Sequence, residues 1–281
     1  MGAVSTNRAS GSQQGKRLPR LLAQQVKFSR YLPVMRVGVG GPHSQDAYDI
    51  RFEWGSAGLT TIAAGLRTVV VVDVLSFSTT VEVACSRGVR VHPAPWSDHR
   101  AVELAQRLGA ELAGGRRSSE SAYSLSPVSF LQAPSATTVV LASPNGAEVS
   151  LAAASSGATV VAGCLRNAAA VAAAVSDRLP AGVIAAGERR PEGGLRPCWE
   201  DLVGAGAIIA GLSESRSPEA SSAVSVWDSA RSRLGDQLAA CASGRELVEA
   251  GYGDDMRLAA ELDASRCVPH LSDAAFVAGA M

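Results

Sequence analysis

Lysine is almost absent from this 281-residue chain, with Lys16 and Lys27 the only two. Both fall in a basic head that reads as separate from the folded part, so no lysine remains inside the fold. Schiff-base chemistry, pyridoxal-phosphate chemistry and a Walker-type phosphate loop all need one there, and all three are excluded. The five cysteines (Cys85, Cys164, Cys198, Cys241 and Cys267) form no C-x-x-C, and the four histidines are scattered as well. That excludes a zinc-knuckle spacing and a disulfide framework, and leaves the thiols as small core residues of a reducing compartment. No apolar run is long enough to span a bilayer, and the head lacks a continuous apolar signal core. The expected location is therefore cytoplasmic, with no membrane partner.

Charge is sparse at 19% of residues, and the formal net charge is zero. The balance hides an asymmetry. Residues 1–36 hold seven basic residues and no acid, which leaves 19 basic residues against 26 acids in the remainder. A net-acidic body without clustered bases is a poor nucleic-acid binder, so no nucleic-acid partner is expected. Residues 1–35 are Ser-, Gln- and Arg-rich with little periodicity, and read as a disordered, dispensable N-terminal extension or as a transit-type segment. Residues 36–281 read as a single folded domain.

What is present, at 47% hydrophobic residues, is ample for a large core. From residue 36 a rhythm repeats: a short β-branched run, a loop of small or polar residues, then an Ala-rich stretch. The runs are Val69–Val72, Thr138–Leu141, Thr159–Val161 and Val183–Ala185. Residues 214–262 read as mostly helical, with a Ser-rich break near Ser213–Ser222. Continuous apolar strands alternating with helices predict an α/β fold with a mainly parallel sheet covered on both faces. In such folds ligands bind at the strand-to-helix loops, beyond the carboxyl ends of the strands.

Four loops then supply the candidate chemistry. In the first, Asp73 directly follows four valines, where a carboxylate needs a partner, and a metal ion is one. Ser76, Ser78 and Thr79 follow at a helix start, suited either to an anion or to capping. In the second, Ser143, Asn145 and the Gly146 amide face one pocket, or Asn145-Gly146 is simply a tight turn. In the third, Asn167 caps an Ala-rich helix. Arg166 beside it opposes the helix dipole, which an anionic ligand or a surface salt bridge would explain. In the fourth, Glu188 precedes Glu200 and Asp201, two acids that open an apolar helix and could hold a divalent ion. Gly204 and Gly206 lie inside that helix without a third glycine, so they predict tight helix packing and no dinucleotide fingerprint.

Taken together, five blocks in collinear order resemble the 2-phosphosulfolactate phosphatases, the ComB family. The blocks are VVVVDVLSFSTT, ASPNGAE, AGCLRNAAAVA, GERRPEGGLRPCWEDLVGAGAII and GRELVEAGYGDDMRLAAELDASRCVP, spread over residues 46–272. The resemblance implies a three-layer α/β/α phosphate monoester hydrolase dependent on Mg²⁺, with a small anionic phosphorylated substrate. On it, Asp73, Asn145 and Arg166 are the expected catalytic residues. Ser76, Ser78, Thr79, Arg116, Ser143, Gly146 and Asn167 are expected to bind the substrate phosphate, and Asp73, Glu188, Glu200 and Asp201 the metal. Cysteine-phosphatase chemistry is not expected, because no C-x5-R string occurs. The sequence departs from the family pattern at Ser76, where an arginine is common. It also departs at Gly115, where an acid is common, and at Leu125, where asparagine is common. The alternative reading is a non-catalytic binder of a phosphorylated metabolite. The oligomeric state is left open, a homo-oligomer included.

Overall fold

The computed structural model describes residues 1–2, 41, 43–96, 99–116 and 121–279. Beyond its first two residues, the expected N-terminal extension lies outside the described residues, and the fold is that of the unit Arg36–Met281. In chain order the strands are β1 (Ile50–Trp54), β2 (Thr68–Val72), β3 (Arg90–Ala94), β4 (Glu111–Leu112), β5 (Thr138–Ala142), β6 (Thr159–Gly163) and β7 (Ala181–Ala185). They continue with β8 (Glu188–Arg189), β9 (Leu195–Arg196), β10 (His270–Ser272) and β11 (Ala275–Val277). The helices are α1 (Gly55–Ile62), α2 (Phe77–Ser86), α3 (His99–Leu108), α4 (Gly146–Ala154) and α5 (Ala168–Ser176). After them come α6 (Trp199–Ala210), α7 (Pro218–Ala230), α8 (Leu234–Ala240), α9 (Ala242–Glu249) and α10 (Gly253–Ala259).

Nine strands form one sheet in the order β1-β7-β2-β6-β10-β11-β3-β5-β4. The pairs β1/β7, β7/β2, β2/β6, β3/β5 and β5/β4 are parallel. The hairpin β10–β11 is antiparallel and bridges the two parallel halves through His270 opposite Val161 and Phe276 opposite Val91. β2 explains the layering. Every residue of Thr68–Val72 is buried, and alternate valines point to opposite faces. Val70 and Val72 share one apolar cluster with side chains of α5, α6 and α7, whereas Val69 and Val71 share another with those of α1, α2 and α4. Each such valine contributes roughly 1.5–3 kcal/mol by leaving water. The result is the expected three-layer α/β/α arrangement.

Among the described residues no helix is long and apolar enough to cross a membrane. The break before the C-terminal helices is shorter than the sequence suggests. α7 starts at Pro218 with the Ser217 hydroxyl capping Ala220, so Ser221 and Ser222 are already helical. Gly204 and Gly206 do serve packing. A Cβ on Gly204 would lie 2.6 Å from Val74 Cγ2, and one on Gly206 would lie 2.2 Å from the Ala223 carbonyl oxygen. The missing side chain of Gly204 lets α6 lie directly on the end of β2, and that of Gly206 lets α6 lie directly on α7.

Candidate active site

Asp73 leaves the end of β2 only 6% exposed, and both of its oxygens are occupied by backbone donors. Oδ1 accepts from Phe77 N–H at 3.1 Å and Oδ2 from Gly146 N–H at 2.9 Å. The second bond requires a glycine, since a Cβ at residue 146 would lie 2.4 Å from the Phe77 ring and 2.7 Å from Asp73 Oδ2. Opposite, the first turn of α6 aims Asp201 at the same strand end. Its Oδ1 accepts from Val74 N–H at 2.8 Å and its Oδ2 from Gly187 N–H at 2.9 Å. Glu200 is also buried, and its Oε2 accepts from the Cys241 thiol at 3.4 Å.

These three carboxylates line one cavity of about 130 Å³, together with Glu188, Glu246, Asn145 and Arg116. Burial is the main reason that the Asp73 carboxyl is pushed up to about 6, with the Glu200 charge adding to it and the two N–H donors and Arg116 opposing it. Asp201 is pushed well upward by burial first, then by Asp73 and Glu200. The native state holds the Asp73 proton more tightly than the unfolded chain does. Its contribution to stability is therefore complete below about pH 4 and lost as pH rises through about 6. A shift of about two units corresponds to about 3 kcal/mol. Urea unfolding in chelator should show stability falling over that window, and a flat profile would contradict the burial argument.

Arg116 supplies the positive charge. Its Nε donates to Asp255 at 3.1 Å, its Nη2 donates to Ser76 Oγ and to the Leu125 carbonyl, and its guanidinium lies 5.5 Å from the centre of the Tyr252 ring. Tyr252 O–H donates to the Arg116 carbonyl at 2.7 Å, and Ser126 O–H donates to the other oxygen of Asp255. Asp255, Tyr252 and Ser126 thus hold the arginine, and the sequence singles out none of the three as a site residue. The one signal for Tyr252 and Asp255 is their place in the fifth block, GRELVEAGYGDDMRLAAELDASRCVP.

Several expected site residues have other work. Ser78 O–H donates to the Val71 carbonyl at 2.9 Å while its Oγ accepts from Asp73 N–H, and Thr79 O–H donates to the Val74 carbonyl at 2.8 Å. Ser78 fastens α2 to β2, Thr79 fastens it to the loop that follows, and neither lines the cavity. Ser143 Oγ accepts from Asn145 N–H at 3.3 Å and also lies outside the lining. The Gly146 amide is committed to Asp73. Asn167 is fully buried; its Oδ1 accepts from Cys164 N–H, and its Nδ2 donates to the Ala162 and Cys267 carbonyls. Arg166 donates through Nε to the buried Glu82 at 2.7 Å and also pairs with Glu261, away from the acidic cavity. Its anion is therefore a side chain of the protein. Ser76 reaches the site through Arg116, Asn145 and Glu188 line it directly, and Glu188 pairs with Arg196. Burial pushes the thiols of Cys164, Cys241 and Cys267 up to about 12, which keeps them protonated and unsuited to attack.

The donor set fits a hard divalent cation. Buried carboxylates that repel one another, with a single described arginine in the same lining, would be relieved by a positive ion. No group of three or more Asp, Glu, His or Cys among the described residues is arranged to hold a metal ion. Magnesium does not need one, because it usually binds through one or two carboxylates, with waters and substrate phosphate completing its shell. Asp73 with Glu200 or Asp201 meets that requirement.

No curated protein matches the chain. Residues 59–274 match the family model described as 2-phosphosulpholactate phosphatase, a span running from α1 to the turn of the C-terminal hairpin and enclosing every residue of the acidic cavity. With more than half of its length matched, the chain belongs to the 2-phosphosulpholactate phosphatase family, whose members are phosphoric monoester hydrolases.

Proposed function

We propose that this protein hydrolyses a small phosphorylated organic acid with the help of Mg²⁺, after the pattern 2-phospho-3-sulfolactate plus water to 3-sulfolactate plus phosphate. The observation that carries the reading is the convergence of buried Asp73, Glu200 and Asp201 on one cavity that Arg116 also lines. When bound, Mg²⁺ would supply charge stabilisation to the phosphoryl oxygens and an acidified water. Asp73 and Glu200 are the residues proposed to hold it. Arg116 has Nη1 without a partner among the described residues, so it can donate to a phosphoryl oxygen while Asp255 and Ser76 keep the guanidinium in place. Asn145 at the cavity wall is placed to orient the ester.

The test is phosphate release from a panel of small phospho-acids after chelator treatment, with and without added Mg²⁺. Metal-dependent release is the expected result. The departures at Gly115 and Leu125 favour one rival, a binder of phosphorylated metabolites without turnover. Calorimetric binding of a phospho-acid with no release from any ester would replace the enzyme by that binder.

A further inference from the structure

The β8–β9 hairpin brings a second arginine to the edge of the acidic cavity. In its register Glu188 stands opposite Arg196, and the guanidinium donates to Glu188 Oε2 through Nε, at 2.7 Å, and through Nη2. Nη2 also donates to Ser243 Oγ at 3.0 Å, in the first turn of α9. Glu188 and Ser243 both line the acidic cavity, so Arg196 stands one hydrogen bond behind its wall. Its Nη1 has no partner among the described residues, and its side chain is 29% exposed. Arg196 also lines an open groove of about 610 Å³ with Trp199, Ser229 and Gln237, and Glu200 belongs to both linings.

A substrate with a phosphate, a carboxylate and a sulfonate brings its charge to a cavity lined by five carboxylates and one described arginine. That arginine, Arg116, serves the phosphoryl oxygens. A sulfonate stays ionised at any working pH, so beside like charges it needs a further cation. Arg166 is held by Glu82 and Glu261 away from the cavity. Arg189 is 58% exposed and reaches Glu148, which lies outside the cavity lining. Arg196 is anchored by two residues of that lining, so holding it in place for a ligand costs little further ordering. A guanidinium suits a tetrahedral oxyanion, which the free Nη1 can meet. The groove beside it is open to water, so a sulfonate there keeps part of its hydration and escapes the full cost of burial.

We propose that Arg196 is a specificity-determining residue: it binds the sulfonate of the substrate where the acidic cavity meets this groove, while the phosphate stays with Arg116. The inference rests on the phosphatase reading above and assigns the selectivity of that same site.

A matched pair of esters tests it, since 2-phospho-3-sulfolactate and 2-phospholactate share phosphate and carboxylate and differ only in the sulfonate. With Mg²⁺ present, wild-type kcat/KM should favour the sulfonated ester by about tenfold or more, the scale of one charge-assisted hydrogen bond. Arg196→Gln should remove most of that preference, through KM, because the sulfonate lies away from the reacting phosphoryl group. Arg196→Lys keeps the charge without the planar fork and should fall between the two. Loss of the Glu188 bridge alone would act on both esters alike and leave their ratio unmoved. The proposal is overturned by a wild type that does not prefer the sulfonated ester, or by a preference undiminished in both variants, and the phosphatase reading stands in either case. Release from neither ester would sink the phosphatase reading, and calorimetry then decides on Arg196. Wild type binding 3-sulfolactate more tightly than lactate, with the difference lost in Arg196→Gln, supports the proposal, and any other pattern overturns it.

Discussion

Asp73→Asn should abolish metal-dependent turnover, by at least about a hundredfold, while leaving a protein that folds. Two opposing terms set the stability. The ionised carboxyl is held about two units above its ordinary pKa, so removing its charge relieves about 3 kcal/mol near neutral pH. Against this, the two oxygens accept from two different N–H groups, Phe77 and Gly146. A carboxamide has one oxygen, so one of those donors would face an NH₂ group, at a cost of about 1–3 kcal/mol. The terms nearly offset, and the melting temperature should move by no more than about 5 °C. Turnover and melting curves on one preparation separate the outcomes. Wild-type turnover at saturating Mg²⁺ would remove Asp73 from the chemistry. A fall of more than about 10 °C would show that the carboxylate is there to hold the loop.

Asp73 is visible in the sequence because a carboxylate directly after four valines has no water beside the strand, and the structure keeps it at 6% exposure. Strands β2, β5, β6 and β7 are visible for a related reason: strands buried on both faces read as unbroken β-branched runs. β1 is not visible. Its IRFEW string carries Arg51 and Glu53, and Arg51 is nonetheless buried, because its guanidinium donates to the Ile62 and Ala64 carbonyls at the C-terminal end of α1. The hairpin β10–β11 is equally silent. Three-residue strands carry little periodicity, and their place between β6 and β3 depends on pairing with residues more than a hundred positions away. The hydroxyls of Ser78 and Thr79 show a further limit. Their types and their helix-start position suit an anion, yet in the fold they fasten that helix to its strand and to the loop after it. Composition cannot tell those two uses apart, since both need a hydroxyl at the same place.

Arg166 carries the same ambiguity with a larger consequence, because the anion that explains it is Glu82. That glutamate sits in the middle of α2, inside the VEV string, with its side chain fully buried. Its Oε2 accepts from Arg166 Nε, and its Oε1 is buried without a hydrogen-bond partner among the described residues. Arg166→Ala would therefore strand a carboxylate inside the protein, at a cost of about 3–5 kcal/mol. For a domain of this size the melting temperature should fall by on the order of 10 °C. The double variant Arg166→Met with Glu82→Gln removes both charges together and should recover most of the loss, as replacement of a whole buried ion pair generally does. In either variant, turnover by the folded fraction should stay within about threefold of wild type, because neither side chain lines the acidic cavity. Normal melting of Arg166→Ala with turnover reduced about a hundredfold would return the arginine to the phosphoryl group. The sequence offers an anionic ligand and a salt bridge as explanations of one arginine, and this pair of variants measures which of them the fold uses.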